Sequence, residues 1–274
     1  MDVKEIEHAL ITRYRSKLIS PFIKALKTYD LLKPGDVVGI CLSGGKDSFV
    51  MAKLFQELQR HSDYPFELKF LVMDPGFNEL NVNKLKENAR ILGIPITIKQ
   101  SDIFRVAEVH GGEHPCYLCA RMRRGFLYNF AQSEGCNKIA LAHHFNDVIE
   151  TILLNILFAG SYKTMPPKLK STNHPGMELI RPLYFVREKD IINYMKFCGI
   201  EAMNCGCRIA SKELPSKRRE IKELINSLKK QYPDIDKSIF QSSMNVNVDA
   251  VLGWKFQEKQ YTFLDFYDQN DEND

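Results

Sequence analysis

Six consecutive residues, Ser43-Gly44-Gly45-Lys46-Asp47-Ser48, carry the parts of an anion site. Gly44 and Gly45 permit backbone conformations that turn successive amide N–H groups toward one point. The hydroxyls of Ser43 and Ser48 add donors, and Lys46 adds a positive charge. Asp47 can hold a magnesium ion or cap a helix. The order differs from the G-x-x-x-x-G-K-[ST] loop of kinases and GTPases. A glycine pair alone would suit an ordinary turn; the whole hexapeptide, between an apolar strand and a helix, favours the anion site. Two further groups can join it: Asp74-Pro75-Gly76 and His143-His144-x-x-Asp147. In the second, the first His can serve as a cap or core residue, and Asp147 suits a helix N-terminus.

Seven cysteines form a different pattern. Cys116-x-x-Cys119 and Cys205-x-Cys207 are close pairs, as metal or redox chemistry requires, and an odd total argues against a disulfide framework. Four thiols can make a structural zinc site. A redox dithiol is a third option, although Cys116-Tyr117-Leu118-Cys119 lacks a thioredoxin-like context. Cys41, Cys136 and Cys198 stand in apolar surroundings and read as small buried hydrophobes.

The elements that must position these groups follow from periodicity. Apolar residues near a 3.6 spacing make most of the first thirty residues helical. Residues 37–42, 66–73, 94–98 and 138–142 are short apolar runs suited to buried strands, with helical segments between them. That alternation predicts an α/β fold with a doubly wound parallel sheet, an N-terminal helix and a small C-terminal helical extension. The three non-cysteine groups then fall beyond the carboxyl ends of strands, where open sheets of this kind bind ligands. Residues 160–182 read as a long connection, because Gly160, Pro166-Pro167 and His174-Pro175-Gly176 disfavour regular structure. The expected organisation is a helical segment at 1–33, a nucleotide domain carrying the first cysteine pair at 34–200, and an extension with the second pair at 201–274.

Ser43–Ser48 resembles the pyrophosphate (PP) loop of the N-type ATP pyrophosphatases, of adenine nucleotide alpha hydrolase-like fold. Within them the chain resembles the tRNA 2-thiocytidine biosynthesis family. The match runs through Pro115-Cys116-x-x-Cys119-x-Arg121-x-Arg123-Arg124-Gly125-x-Leu127-Tyr128, His143-His144-x-x-Asp147, Met165-Pro166-Pro167-Lys168 and Ile180-Arg181-Pro182-Leu183 with Arg187-Glu188-Lys189-Asp190. The resemblance implies an ATP-dependent tRNA sulfurtransferase that adenylates a cytidine of the anticodon loop and replaces its oxygen with sulfur. It implies ATP and Mg²⁺ bound by Ser43, Gly44, Gly45, Lys46, Asp47, Ser48, Asp74 and His143, with Lys46, Asp47 and Asp147 catalytic. It also implies a 4Fe-4S cluster on Cys116, Cys119 and Cys207. The family usually has C-x-x-C at the second pair, so the shortened Cys205-Gly206-Cys207 leaves Cys205 an alternative ligand. Asn146 stands where an acid is common in relatives.

Implied partners are tRNA and a sulfur donor such as a cysteine desulfurase; a homodimer is an open alternative to a monomer. Arg123, Arg124, Lys168, Lys217, Arg218 and Arg219 can hold an RNA backbone, although any single cluster suits a solvated helix face equally. The net charge of +4 is a weak sign of such a partner, but the last ten residues hold five acids and no base; setting those five aside leaves +9. No apolar run approaches the roughly 18 residues that span a bilayer, and a cytoplasmic location is expected. The competing readings are uridine thiolation, lysidine synthesis, which needs no cysteines, and a zinc-stabilised nucleotide-binding module without chemistry. Uridine thiolases commonly carry extra N-terminal zinc cysteines, and no cysteine precedes Cys41 here.

Overall fold

The structure is a computed structural model that describes residues 2–110, 112, 115–203 and 217–267, the side chains of Pro115 and Cys116 excepted. The chain opens with α1 (Val3–Ile11) and α2 (Ser20–Thr28), joined through a π-helical turn at Arg15–Ile19. Then follow β1 (Val37–Leu42), α3 (Lys46–Arg60), β2 (Glu67–Asp74), α4 (Glu79–Ile91) and β3 (Ile96–Gln100). Next come α5 (Ile103–His110), α6 (Pro115–Ser133), β4 (Lys138–Ala140) and α7 (Phe145–Ala159). After β5 (Lys168–Lys170), β6 (Glu178–Ile180) and α8 (Glu188–Phe197), the extension holds α9 (Lys217–Gln231), α10 (Ile235–Ser242) and a hairpin of β7 (Gly253–Phe256) and β8 (Lys259–Thr262).

The main sheet runs β3-β2-β1-β4-β6-β5, with β5 antiparallel to β6 and the other pairings parallel. The chain leaves β1 toward β2 and β3, then returns through α5 and α6 to β4 on the other side. This reversal opens a crevice beyond the carboxyl ends of β1 and β4. It is the predicted doubly wound sheet, and two of the candidate groups end the two strands that flank the crevice. The apolar strands explain the parallel arrangement, since helices cover both faces and leave no wet side.

The N-terminal helices share the core of the sheet. Phe22 meets Phe55 edge-on at 5.1 Å between ring centres, and Tyr14 meets Tyr194 at the same spacing. Lys53, 1% exposed, donates to Glu7 at 2.6 Å and to the Leu92 carbonyl at 2.9 Å. A buried ammonium is tolerated only with such partners, and these tie α1 to α3.

The segment expected to be a connection, 160–182, contains β5 and β6, each three residues long. Leu179 and Ile180 are buried against β4, but three-residue strands are too short to show a period in a stretch rich in proline and glycine. Among the described residues no helix is long and apolar enough to cross a membrane.

Candidate functional site

The hexapeptide bridges β1 and α3, as its position requires. Gly44 has φ +81°, and a Cβ on it would sit 2.8 Å from the Met203 sulfur. Only glycine takes that conformation without strain. The loop braces itself: Ser48 Oγ donates to the Gly45 carbonyl at 2.8 Å and accepts from the Ser43 amide at 3.2 Å. Met203 N–H donates to the Gly44 carbonyl at 3.1 Å, fixing the loop from the far side.

Ser43, Asp47 and Ser48 line a cavity of about 340 Å³ together with His143 and Asp147 from the end of β4 and the start of α7. Arg123 and Leu127 of α6 form another wall. Two polar atoms here are buried without a hydrogen-bond partner, Asp47 Oδ1 and His143 Nδ1. Burying such atoms unpaired is costly, so they suit a ligand that would pair them. Burial and the Arg181 charge push His143 down to about 4, which keeps its ring neutral at physiological pH. Cys41 also lines the cavity, but burial and neighbouring Cys136 push its thiol up to about 12, so it is not a thiolate nucleophile.

The second histidine caps the helix. His144 Nδ1 accepts from the Asp147 amide at 3.3 Å, and Asp147 Oδ2 accepts from the His144 amide at 2.9 Å. This reciprocal pair is a capping box, and it leaves the first histidine to face the cavity. Asp147 Oδ1 accepts from Arg218 of α9 at 3.2 Å. Asn146 Oδ1 accepts from the Glu188 amide at 3.0 Å, so the residue that replaces an acid satisfies an orphan donor at the start of α8.

Lys46 is turned away from the cavity walls to a pair of carboxylates, Asp47 and Glu188, each 3.1 Å away. Burial works against its charge, but the two carboxylates outweigh that and hold the ammonium above its ordinary range. Burial likewise opposes ionisation of Glu188, yet hydrogen bonds from Lys222 and Lys46 bring it down to about 2. Lys222 reaches it from α9 at 2.6 Å. Glu150, one turn beyond Asp147, is pushed up to about 7 by burial and by the Asp147 charge. Asp74 is buried beside the crevice, and its Oδ1 accepts from the Gly76 and Phe77 amides at 2.9 and 2.7 Å. It braces the turn after β2.

The first cysteine pair lies in the opening turn of α6, three residues apart, where helix amides favour thiolates. Cys119, Arg123 and Leu127 follow at four-residue spacing, so one face of α6 links the cysteine turn to the cavity. Cys205 and Cys207, and hence the choice of third ligand, lie outside the described residues. Cys41, Cys136 and Cys198 are buried as their surroundings predict. Sequence reasoning named Glu188 only as part of the matching Arg187-Glu188-Lys189-Asp190 stretch, without a role, gave Arg218 only an RNA role, and missed Glu150, which has no motif of its own.

A PP-loop domain matches residues 16–204 of this chain. The chain belongs to the PP-loop family. Within it, the tRNA-cytidine(32) 2-sulfurtransferase of Bdellovibrio bacteriovorus is 36% identical over 249 residues, 88% of this chain and 93% of that protein. The enzyme of the same name from Shewanella woodyi is 36% identical over 90% of this chain and 77% of its own. With them the chain belongs to the tRNA 2-thiocytidine biosynthesis family, as its motifs predict. Among solved structures, the U34-tRNA thiolase NcsA from Methanococcus maripaludis with its [4Fe-4S] cluster superposes with a TM-score of 0.66 at 24% identity. It covers 86% of this chain and 82% of that one, and it shows that the PP-loop fold is shared.

Proposed function

We propose that this PP-loop protein is an ATP-dependent tRNA sulfurtransferase that adenylates C2 of an anticodon-loop cytidine and exchanges the oxygen for sulfur. One observation carries the reading: the cavity that gathers the phosphate loop, His143 and Asp147 is walled by the helix that begins with the cysteine pair. An ATP site and a sulfur site on one helix suit a reaction with both steps. The relatives' names give cytidine 32 as their target.

The residues fit ATP and Mg²⁺. The turn at Gly44–Gly45 leads into the N-terminus of α3, whose amides suit a phosphate, and the orphaned Asp47 Oδ1 offers a hard oxygen ligand. Attack of the cytidine C2 oxygen on the α-phosphorus breaks the α–β bridge and releases pyrophosphate. The loop amides and Lys46, drawn off Glu188, stabilise charge on that leaving group. Neutral His143 can donate to or accept from the nucleotide without adding charge. Adenylation turns a poor leaving oxygen into AMP, and a sulfur nucleophile forms the C–S bond as the C–O bond breaks. Asp147 faces the cavity and is placed to take the proton that the nucleophile loses.

Cys116 and Cys119, at i and i+3 in a helix opening turn with Arg123 one turn on, suit two ligands of an anionic cluster. Cys207 completes the proposed set. When bound, a 4Fe-4S cluster supplies an open iron position for sulfur. A cysteine desulfurase is a fitting donor, and action on tRNA sets the protein in the cytoplasm.

The test is anaerobic purification of wild type and Cys207→Ala with iron, sulfide and zinc assays, followed by nucleoside analysis of treated tRNA. Four irons per chain, lost in the variant, and ATP-dependent 2-thiocytidine support the reading. Zinc without iron, or a thiolated uridine, would overturn it.

A further inference from the structure

A second cavity, of about 660 Å³, lies on the other side of α6, between that helix and the β5–β6 hairpin. Its lining includes Arg121, Arg124, Lys170 and Arg181 and no carboxylate. Arg181 is 8% exposed, and its Nε is buried without a hydrogen-bond partner. One of its terminal nitrogens donates to the Pro166 carbonyl, and among the described residues no carboxylate pairs with it. Buried guanidinium groups normally stand opposite an acid, because leaving one unpaired is strongly unfavourable. An anion entering the cavity would supply that partner. The wall beside it is firm: Tyr128 stacks on His174 with ring centres 4.7 Å apart and planes 12° apart.

Helix geometry relates this cavity to the first. Tyr117, Arg121, Arg124 and Tyr128 of α6 line this cavity, while Arg123 and Leu127 of the same helix line the nucleotide cavity. Tyr117 is 71% exposed and stands between the two cysteines in sequence. A guanidinium fork matches phosphate geometry, and an exposed ring suits an unstacked base. An α-helix with side chains is about 10 Å across, a span that one nucleotide of a splayed strand bridges.

We propose that this cavity binds a backbone phosphate of the tRNA anticodon loop, gripped by Arg181, Arg124 and Lys170, with Tyr117 stacking a neighbouring base. The inference rests on the tRNA reading above. Anchoring the strand on one face of α6 lets the adjacent nucleotide cross the opening turn into the adenylation cavity.

The test measures binding of an anticodon stem-loop RNA as a function of salt, for wild type, Arg124→Gln/Lys170→Gln and Arg181→Gln. The first variant changes exposed residues and spares folding; a thermal melt accompanies the second. The expected result is about a tenfold loss of RNA affinity in the double variant, with ATP affinity unchanged. The slope of log K against log salt should flatten by up to about 0.7, the value for one single-strand phosphate contact. Tyr117→Ala should weaken binding without changing that slope. Unchanged affinity and slope in the double variant, while wild type binds RNA, would overturn this site and leave the thiolase reading standing. Wild type that binds no RNA would overturn both. Inorganic phosphate that protects the cavity, with RNA affinity unaltered by the substitutions, would assign a free anion instead and overturn the RNA site.

Discussion

Gly44→Ala and Gly45→Ala differ by one position, and the structure assigns them opposite fates. Gly44 has φ +81°, so alanine there pays left-handed strain of about 1–2 kcal/mol. Its new methyl also lies 2.8 Å from the Met203 sulfur, a contact that the flexible thioether can relieve by moving. Gly45 is at φ −80°, ψ 157°, an ordinary extended conformation. The nearest atom to its added Cβ is Ser43 Oγ at 3.3 Å, which needs only a small shift. Alanine at Gly45 gains about 0.4–1 kcal/mol by restricting the unfolded chain, enough to offset that crowding.

Gly44→Ala should therefore lower the melting temperature by about 2–8 °C, since each kcal/mol is worth about 2–4 °C in a chain of this size. Gly45→Ala should stay within about 2 °C of wild type. If the strained loop misdirects one amide from a phosphate, about 1.5–3 kcal/mol of binding goes with it, a rise of roughly 10- to 100-fold in the ATP KM. Thermal melts and pyrophosphate release against ATP concentration measure the two effects separately. Met203→Ala on the Gly44→Ala background should recover only the crowding part. Equal melting losses at the two glycines would refute the conformational argument, because crowding alone does not distinguish them in this way.

Asp47→Asn should abolish pyrophosphate release while costing about 1 kcal/mol of stability or less, since the pair it weakens is partly exposed and Lys46 keeps Glu188 as a partner; retained turnover would remove Asp47 from the mechanism. Glu150 has its carboxyl raised to about 7 in the fold, so its neutral form is favoured there and its contribution is lost as pH rises through that value. Glu150→Gln should accordingly match wild type near pH 4 and exceed it by up to about 3 kcal/mol at pH 8; melts showing the same difference at both pH values would contradict this. His143 is shifted the other way, so the fold loses stability as pH falls from about 6.5 toward 4. His143→Gln should flatten that acid limb, and an unchanged limb would place its origin elsewhere. Arg218→Ala should cost under about 1 kcal/mol, because the guanidinium is half exposed, yet lower kcat by releasing Asp147; an unaltered kcat would make the pair purely structural.

The chemistry that sits at strand ends was readable from residue order alone. Val37–Leu42 ends abruptly in the glycine pair, and Lys138–Ala140 runs into His143, because a parallel strand must stop where its helix begins. Which histidine faces the cavity was not readable: His144 is taken by the capping box, a matter of backbone geometry that the His-His pair leaves open. Lys46 reads as a phosphate ligand, yet it pairs with Glu188, 142 residues away in sequence. Arg181 belongs to a recognisable Arg-Pro-Leu stretch, but its unpaired burial depends on β6 packing beside β4, and β6 has no detectable period. Long-range pairing of charges is set by tertiary contacts, so local pattern carries no trace of it.

The described residues that flank 204–216 both reach the residues around the nucleotide cavity without any motif joining them. At one end Met203 N–H holds the Gly44 carbonyl, and its thioether covers the Gly44 Cα. At the other, Arg218 holds Asp147, and Lys222 holds the Glu188 carboxylate that in turn holds Lys46. Both tethers therefore end on residues that a bound nucleotide must contact or displace. A phosphate that draws Lys46 off Glu188 leaves that carboxylate to Lys222 alone and strengthens that pair, so α9 keeps its hold when the lysine moves. The extension is thus anchored twice: Ile221 and Ile225 of α9 are buried in one apolar cluster with Val148, Ile149 and Ile152 of α7, and the charged contacts set which polar groups of the nucleotide cavity α9 meets.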